Sequence, residues 1–197
     1  MDALIQPVLR LCGFHMQLSE ALSETHNMAL PTLLDGFNPA LVGSYPVGLA
    51  LEGSDLDYVC DAYDLEAFAT TAIEAFGDLD NFTCEMKNMR GGASCVVTFE
   101  SPNGYPVEIV AQPRPTGQNY GYLRMLVTAR LVAFVGKSGQ ENLLKLKKGG
   151  ASTDVALMTL FGIDEDISTL YAHMATLDDT ALKAYIRYDR LEVTGLV

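Results

Sequence analysis

"LVGSYPVGLALEGSDLDYVC", Leu41 to Cys60, contains a Gly-Ser turn and, ten residues further on, two aspartates one residue apart. "PALVGS" reads as a short buried strand that ends in the turn. The alternation of acid and apolar residue in "SDLDYVCDA" predicts a second strand with one polar face. Side chains at i and i+2 of a strand share a face, so Asp55 and Asp57 project side by side while Leu56 and Tyr58 point away. Two carboxylates held that close repel each other, so something positive has to justify them. A hard dication such as Mg²⁺ is the economical answer, because it takes oxygen ligands from one or two carboxylates and completes its shell with substrate phosphates.

A third carboxylate on a neighbouring strand would complete a site for two ions, and "YPVEIVAQ" supplies one. Glu108 is the only acid of that run and lies on the strand face opposite Val107 and Ile109. Such a site could bridge a nucleotide triphosphate with one ion and activate an incoming hydroxyl with the other. Gly43 and Ser44 then acquire a purpose: glycine permits close backbone approach, and the N–H groups with the serine hydroxyl can hold terminal phosphates. Taken singly, each feature has a plainer reading as a solvated strand face or an ordinary turn. Their order along the chain is what points to chemistry.

Around this centre the pattern predicts an α+β fold. Residues 2–24 have apolar positions at helical spacing, with a kink near Pro7 or Gly13. Asp64 caps a helix, "DLEAFATTAIEAFG", that stops at Gly77. Three strand-like runs follow, "NFTCEMKNM", "ASCVVTFE" and "YPVEIVAQ", the last two joined by Ser101-Pro102-Asn103-Gly104, with Asn-Gly supplying positive φ angles. From about Gln118 the chain turns helical, with stops at Gly136, Gly149 and Gly162 and further helical pattern to about Tyr188. The expected organisation is an N-terminal helix over 1–30, a mixed α/β catalytic unit over 31–116 and a helical region over 117–197.

The net charge of −12 repels nucleic acid and anionic lipid unless a local patch reverses it, and the densest basic run is only Lys145, Lys147 and Lys148. No apolar run approaches the roughly 18 residues of a membrane span, and no secretory leader is apparent, so the expected compartment is the cytoplasm. Cys12, Cys60, Cys84 and Cys95 form no metal-binding pair and read as small buried hydrophobes in a reducing compartment. His15, His26 and His173 are scattered.

The order of strand, Gly-Ser, Asp-x-Asp and later apolar-Glu-apolar strand resembles the DNA polymerase β-type nucleotidyltransferase superfamily. Within it, "VGSYPVGLALEGSDLD", Phe68, "VEIVAQPRPTGQN" and "LKKGGASTDVALMTLFGI" are similar to the domain of unknown function 4269 family. The family's usual Lys-Thr-Glu is replaced here by Ser152-Thr153-Asp154, and its histidine-containing segment by "YGYLRM"; the three carboxylates are intact. The resemblance implies a nucleotidyltransferase fold with a helical C-terminal part. It further implies that Asp55 and Asp57 bind both ions, Mg²⁺ or Mn²⁺, and that Glu108 binds the catalytic ion and takes the acceptor's proton.

Ser44 with the Gly43 backbone would hold the β and γ phosphates of an NTP. Lys147 is the candidate cation for phosphate and Gln118 the candidate for base or ribose, while Tyr120 and Tyr122 could stack on a base. The acidity of the chain speaks against a nucleic acid acceptor and for a small molecule or a protein side chain. The competing expectation is a non-catalytic nucleotide-binding or partner-binding protein on the same fold.

Overall fold

The computed structural model describes residues 15–186. Five strands form one mixed sheet: β1 (Ala40–Leu41), β2 (Leu56–Asp61), β3 (Thr83–Met89), β4 (Gly92–Glu100) and β5 (Pro106–Gln112), in the order β1-β2-β5-β4-β3. β2 and β5 run parallel, and every other neighbouring pair is antiparallel. The parallel pair needs a crossover, provided by α3 (Leu65–Phe76) and the β3–β4 hairpin.

Alternation along β2 decides what each face of the sheet does. Leu56, Tyr58 and Cys60 point to one face, into a core with Phe68, Ala72 and Phe76 of α3 and with α1 (His15–Asn27) and α2 (Leu30–Leu33). α1 is fastened there by polar contacts: the Tyr58 hydroxyl donates to Thr25 Oγ1 at 2.7 Å, and Asn103 Nδ2 donates to the buried Glu24 carboxylate at 2.6 Å. Asp57 and Val59 point to the other face. There Val59, Val42, Val47 and Leu49 share a core with α4 (Tyr120–Lys148), α5 (Thr153–Phe161), α6 (Tyr171–Met174) and α7 (Asp179–Tyr185).

Local signals explain the element ends. Asp64 accepts from Ala67 N at 3.0 Å, Ser152 from Val155 N at 3.2 Å, and Gly162 closes α5 in the left-handed region. Gly136 breaks α4 with φ 59° and ψ −159°, so the expected stop is a kink within one long helical stretch. In the β4–β5 turn only Gly104 has positive φ. Asn103 does not, because the Gly104 N–H bond to the Ser101 carbonyl at 2.8 Å puts Pro102 and Asn103 at the two central positions of a turn in which both have negative φ.

The first strand is only two residues long, since Gly43 turns the chain away at once. The expected helix over 2–24 is observed from His15 and runs on to Asn27; its earlier part, the kink at Pro7 or Gly13 and Cys12 lie outside the described residues. Cys60 and Cys95 are buried and Cys84 is partly buried, as small core residues.

Capping gives a modest, checkable effect. Asp64→Ala removes the acceptor for one helix N–H and is expected to cost about 1 kcal/mol. A thermal melt should then fall by about 3 °C.

Candidate functional site

Asp57 and Glu108 are register partners on the parallel strands β2 and β5, and both point to the face that carries α4. Asp55 precedes β2 by one residue and is exposed, while Asp57 is half-buried. Burial, with Glu108 and then Asp55 adding repulsion, pushes the Asp57 carboxyl up to about 7 despite the opposing charges of Arg124 and Lys147. Glu108 is likewise raised, by burial first and by Asp55 second. These carboxylates are therefore short of positive charge.

The Gly-Ser turn is closed onto this pair. Gly43 has φ +73°, and a Cβ there would lie 1.9 Å from Asp57 Oδ2, so only glycine fits. Val42 N donates to the Asp57 carbonyl at 2.8 Å, which ties the turn to β2. Ser44 is half-buried just beyond, its carbonyl accepting from Leu49 N at 3.0 Å. α4 braces the far side of the loop: Gln140 Nε2 donates to the Gly48 carbonyl at 2.9 Å and Lys147 Nζ to the Leu49 carbonyl at 2.6 Å. Burial and the nearby Arg124 charge pull Lys147 below its usual range, and Asp57 opposes them. Lys147 thus sits beside the Gly-Ser loop with one donor engaged.

A cavity of about 240 Å³ opens on the carboxylate face. Gly43, Asp57 and Glu108 form one wall, Tyr120, Gly121 and Arg124 another, and Arg90 from the β3–β4 turn completes it. The start of α4 is fixed relative to β5, because Asn119 caps it by accepting from Gly121 N at 2.8 Å and donates to Gln112 Oε1 at 3.1 Å. Gly121 lets the helix lie close to the sheet, since a Cβ there would meet Val59 Cγ1 at 3.0 Å. Arg90 crosses the opening: its guanidinium stacks 5.0 Å from the Tyr120 ring and donates to the Ser168 carbonyl.

The expected residues therefore divide. Gly43, Asp57, Glu108 and Tyr120 line the cavity; Asp55, Ser44 and Lys147 are not among its lining residues, although the Asp55 charge repels both other carboxylates. Gln118 does not line it; it is exposed on the short turn Thr116–Gln118, and the buried polar role next to it belongs to Asn119. Tyr122 is buried in the core. Arg90, Arg124, Asn119 and Gln112 were missed. Arg124 had a legible signal, because it follows Tyr120 by four residues on the same helix face.

Hard carboxylate oxygens short of positive charge suit Mg²⁺, which needs only one or two of them beside substrate phosphates. Among the described residues no three acidic, histidine or cysteine side chains are already gathered at metal-binding spacing. The pair Asp57 and Glu108, with Asp55 two residues along, is the donor set that fits.

The family described as Domain of unknown function (DUF4269) matches residues 23–175. No curated protein matches the chain in sequence. Among solved structures, the Cid1 poly(U) polymerase bound to MgGTP is similar at 12% identity and TM-score 0.53, over 74% of this chain and 49% of that one. Cid1 bound to Mg 3'-dATP is similar at 15% identity and TM-score 0.52, over 73% and 48%. The structure describing the structural plasticity of Cid1 as a basis for its RNA terminal uridylyl transferase activity is similar at 13% identity and TM-score 0.53, over 73% and 48%.

The chain spans about half the length of these structures. They belong to the DNA polymerase β-type nucleotidyltransferase superfamily, and the likeness establishes that fold, α+β with a helical C-terminal part. It also corrects the expectation against nucleic acid, because this fold serves enzymes that act on RNA. Net charge averages over the whole surface and does not describe a local site; here Arg90 and Arg124 line the cavity.

Proposed function

The chain belongs to the DUF4269 family, and on that premise we propose that it is a metal-dependent nucleotidyltransferase, moving a nucleoside monophosphate from an NTP to a hydroxyl-bearing acceptor. The observation that carries this reading is the in-register pair Asp57 and Glu108, with the Gly43 turn shut against Asp57 at the cavity wall. Asp55, Asp57 and Glu108 would hold Mg²⁺ or Mn²⁺. A dication there would draw charge from the phosphate oxygens and acidify the acceptor hydroxyl.

The protein's own groups supply the rest. Glu108, in register with Asp57 on the cavity wall, is the carboxylate proposed to take the acceptor's proton. Gly43 and Ser44 would hold the terminal phosphates with backbone N–H groups and a hydroxyl, and Lys147, bonded to the Leu49 carbonyl of the same loop, would add a cation beside them. Tyr120 offers a ring to the base. Gln118 stays a proposed contact to base or ribose, from an exposed position outside the cavity lining.

The acceptor class follows from the hydroxyl. Small molecules and protein side chains remain in the proposal, and RNA 3' ends join them. A cytoplasmic setting belongs to the same reading: it supplies NTP and keeps Cys84 and Cys95, whose sulfurs lie 3.6 Å apart, as thiols. Among the described residues no helix is long and apolar enough to cross a membrane.

The test is transfer of label from α-³²P ATP, GTP, CTP and UTP with Mg²⁺, offered RNA oligonucleotides with free 3' ends, protein and a small-molecule cell extract. Mg²⁺-dependent labelling of an acceptor with release of pyrophosphate is the expected result. Nucleotide binding with no transfer to any class would overturn it in favour of a non-catalytic nucleotide-binding protein on the same fold.

A further inference from the structure

Arg124 is the cavity cation whose placement the reading above leaves unexplained. Its side chain is 31% exposed and lines the cavity opposite Asp57 and Glu108. Nε donates to Asp154 Oδ1 at 2.9 Å, and the same oxygen accepts from the Tyr171 hydroxyl at 2.8 Å. Tyr171 is fully buried in the helical core. Asp154 is fixed in turn by its place in the first turn of α5, capped by Ser152. The guanidinium is thus clamped from behind through Nε. Among the described residues no acceptor engages Nη1 or Nη2, and neither nitrogen is sealed from solvent.

A clamped guanidinium with its terminal fork free is built for a planar or tetrahedral anion. The carboxylate wall does not fill that need. Among the described residues Arg124 forms its ion pair with Asp154, and none joins it to Asp57 or Glu108. Lys147 is held at the Gly-Ser loop by the Leu49 carbonyl, on the side assigned to the terminal phosphates. Arg124 instead shares the cavity wall with Tyr120, one helical turn away, and faces the carboxylates. The anion that lies between a base on Tyr120 and a dication on Asp57 and Glu108 is the phosphate joined to the nucleoside.

We propose that Arg124 binds the α-phosphate of the nucleotide through its two terminal nitrogens, with Asp154 as the positioning residue that aims it; this rests on the nucleotidyltransferase reading. In the transfer, the acceptor oxygen bonds to the α-phosphorus while the bond from the α-phosphorus to the α–β bridging oxygen breaks. Pyrophosphate leaves with the electron pair and the acceptor proton passes to Glu108. Arg124 neutralises the non-bridging oxygens throughout.

The test measures binding of three probes by titration calorimetry with Mg²⁺: the α,β-methylene NTP analogue that binds, the matching nucleoside 5'-monophosphate, and inorganic pyrophosphate. Arg124→Ala is expected to weaken the first two by about 10-fold and to leave pyrophosphate unchanged. Arg124→Lys keeps a charge and a partner for Asp154, safeguards folding, and should fall between. Asp154→Ala should reproduce part of the loss with the same split between probes. Equal weakening of all three probes, or unchanged monophosphate binding in both Arg124 variants, would overturn the assignment. A wild-type protein that binds no nucleotide with Mg²⁺ would instead overturn the parent reading, and this proposal with it.

Discussion

Asp57→Asn is expected to weaken Mg²⁺-dependent NTP binding by at least about 100-fold, because it removes the central anionic oxygen of a hard-ion site. In the same variant, with chelator present, the melting temperature should rise at pH 8. The Asp57 carboxyl is pushed up to about 7 by burial and by Glu108 and Asp55, with Arg124 and Lys147 opposing. Its folded pKa exceeds its unfolded value, so the folded state binds the extra proton between about pH 4 and 7. Wild-type stability is then lost as pH rises through that window, and the full penalty is present above it.

Asparagine keeps the shape without the charge. Allowing for solvent screening of a partly open site, relief on the order of 2 kcal/mol is expected, or about 5 °C at pH 8. The gap should narrow towards pH 4, where wild-type Asp57 is itself neutral. Melts at pH 8 and pH 5 read this directly; a variant less stable than wild type at pH 8 would show that the charge is satisfied by the fold.

Gly43→Ala should be as damaging to binding, for a steric reason, and should also destabilise. The new methyl would sit 1.9 Å from Asp57 Oδ2 on a backbone at φ +73°. Left-handed strain and overpacking together are expected to cost on the order of 3 kcal/mol, and the Asp57 carboxylate has to swing away from the turn. Gly53→Ala is the matched control. It has φ +77° and nothing within 4 Å of an added Cβ, so it carries the strain without the clash. It should cost about 1 kcal/mol and bind Mg·NTP as wild type does. Calorimetry on both variants separates the two effects; wild-type affinity in Gly43→Ala would mean that the turn does not shape the site.

The carboxylates were legible in the sequence because strand periodicity is local: Asp55, Asp57 and Glu108 each announce their face through their immediate neighbours. The neighbouring of β2 and β5 is a long-range pairing, which no local pattern contains; the order of motifs supplied it by resemblance. Caps at Asp64 and Ser152 and the break at Gly136 were readable because each depends on backbone chemistry within a few residues. Arg90 was not legible, because a long side chain can reach in many directions and only the packed turn decides which, whereas Arg124 was marked only by its four-residue spacing from Tyr120. Gln118 and Asn119 show the same limit at one residue's resolution: two adjacent amides, one exposed, one buried against Gln112. Net charge misled on nucleic acid because a sum over the chain has no address.

The central claim is that Asp57 and Glu108 with the Gly43 turn form a metal-dependent nucleotide site. Calorimetric titration of the wild-type protein with non-hydrolysable ATP, GTP, CTP and UTP analogues, each with and without Mg²⁺, tests it most directly. Saturable binding of at least one analogue that disappears without Mg²⁺ and in Asp57→Asn is the expected result; no binding to any of the four, or binding indifferent to both Mg²⁺ and Asp57, would contradict a nucleotide site there.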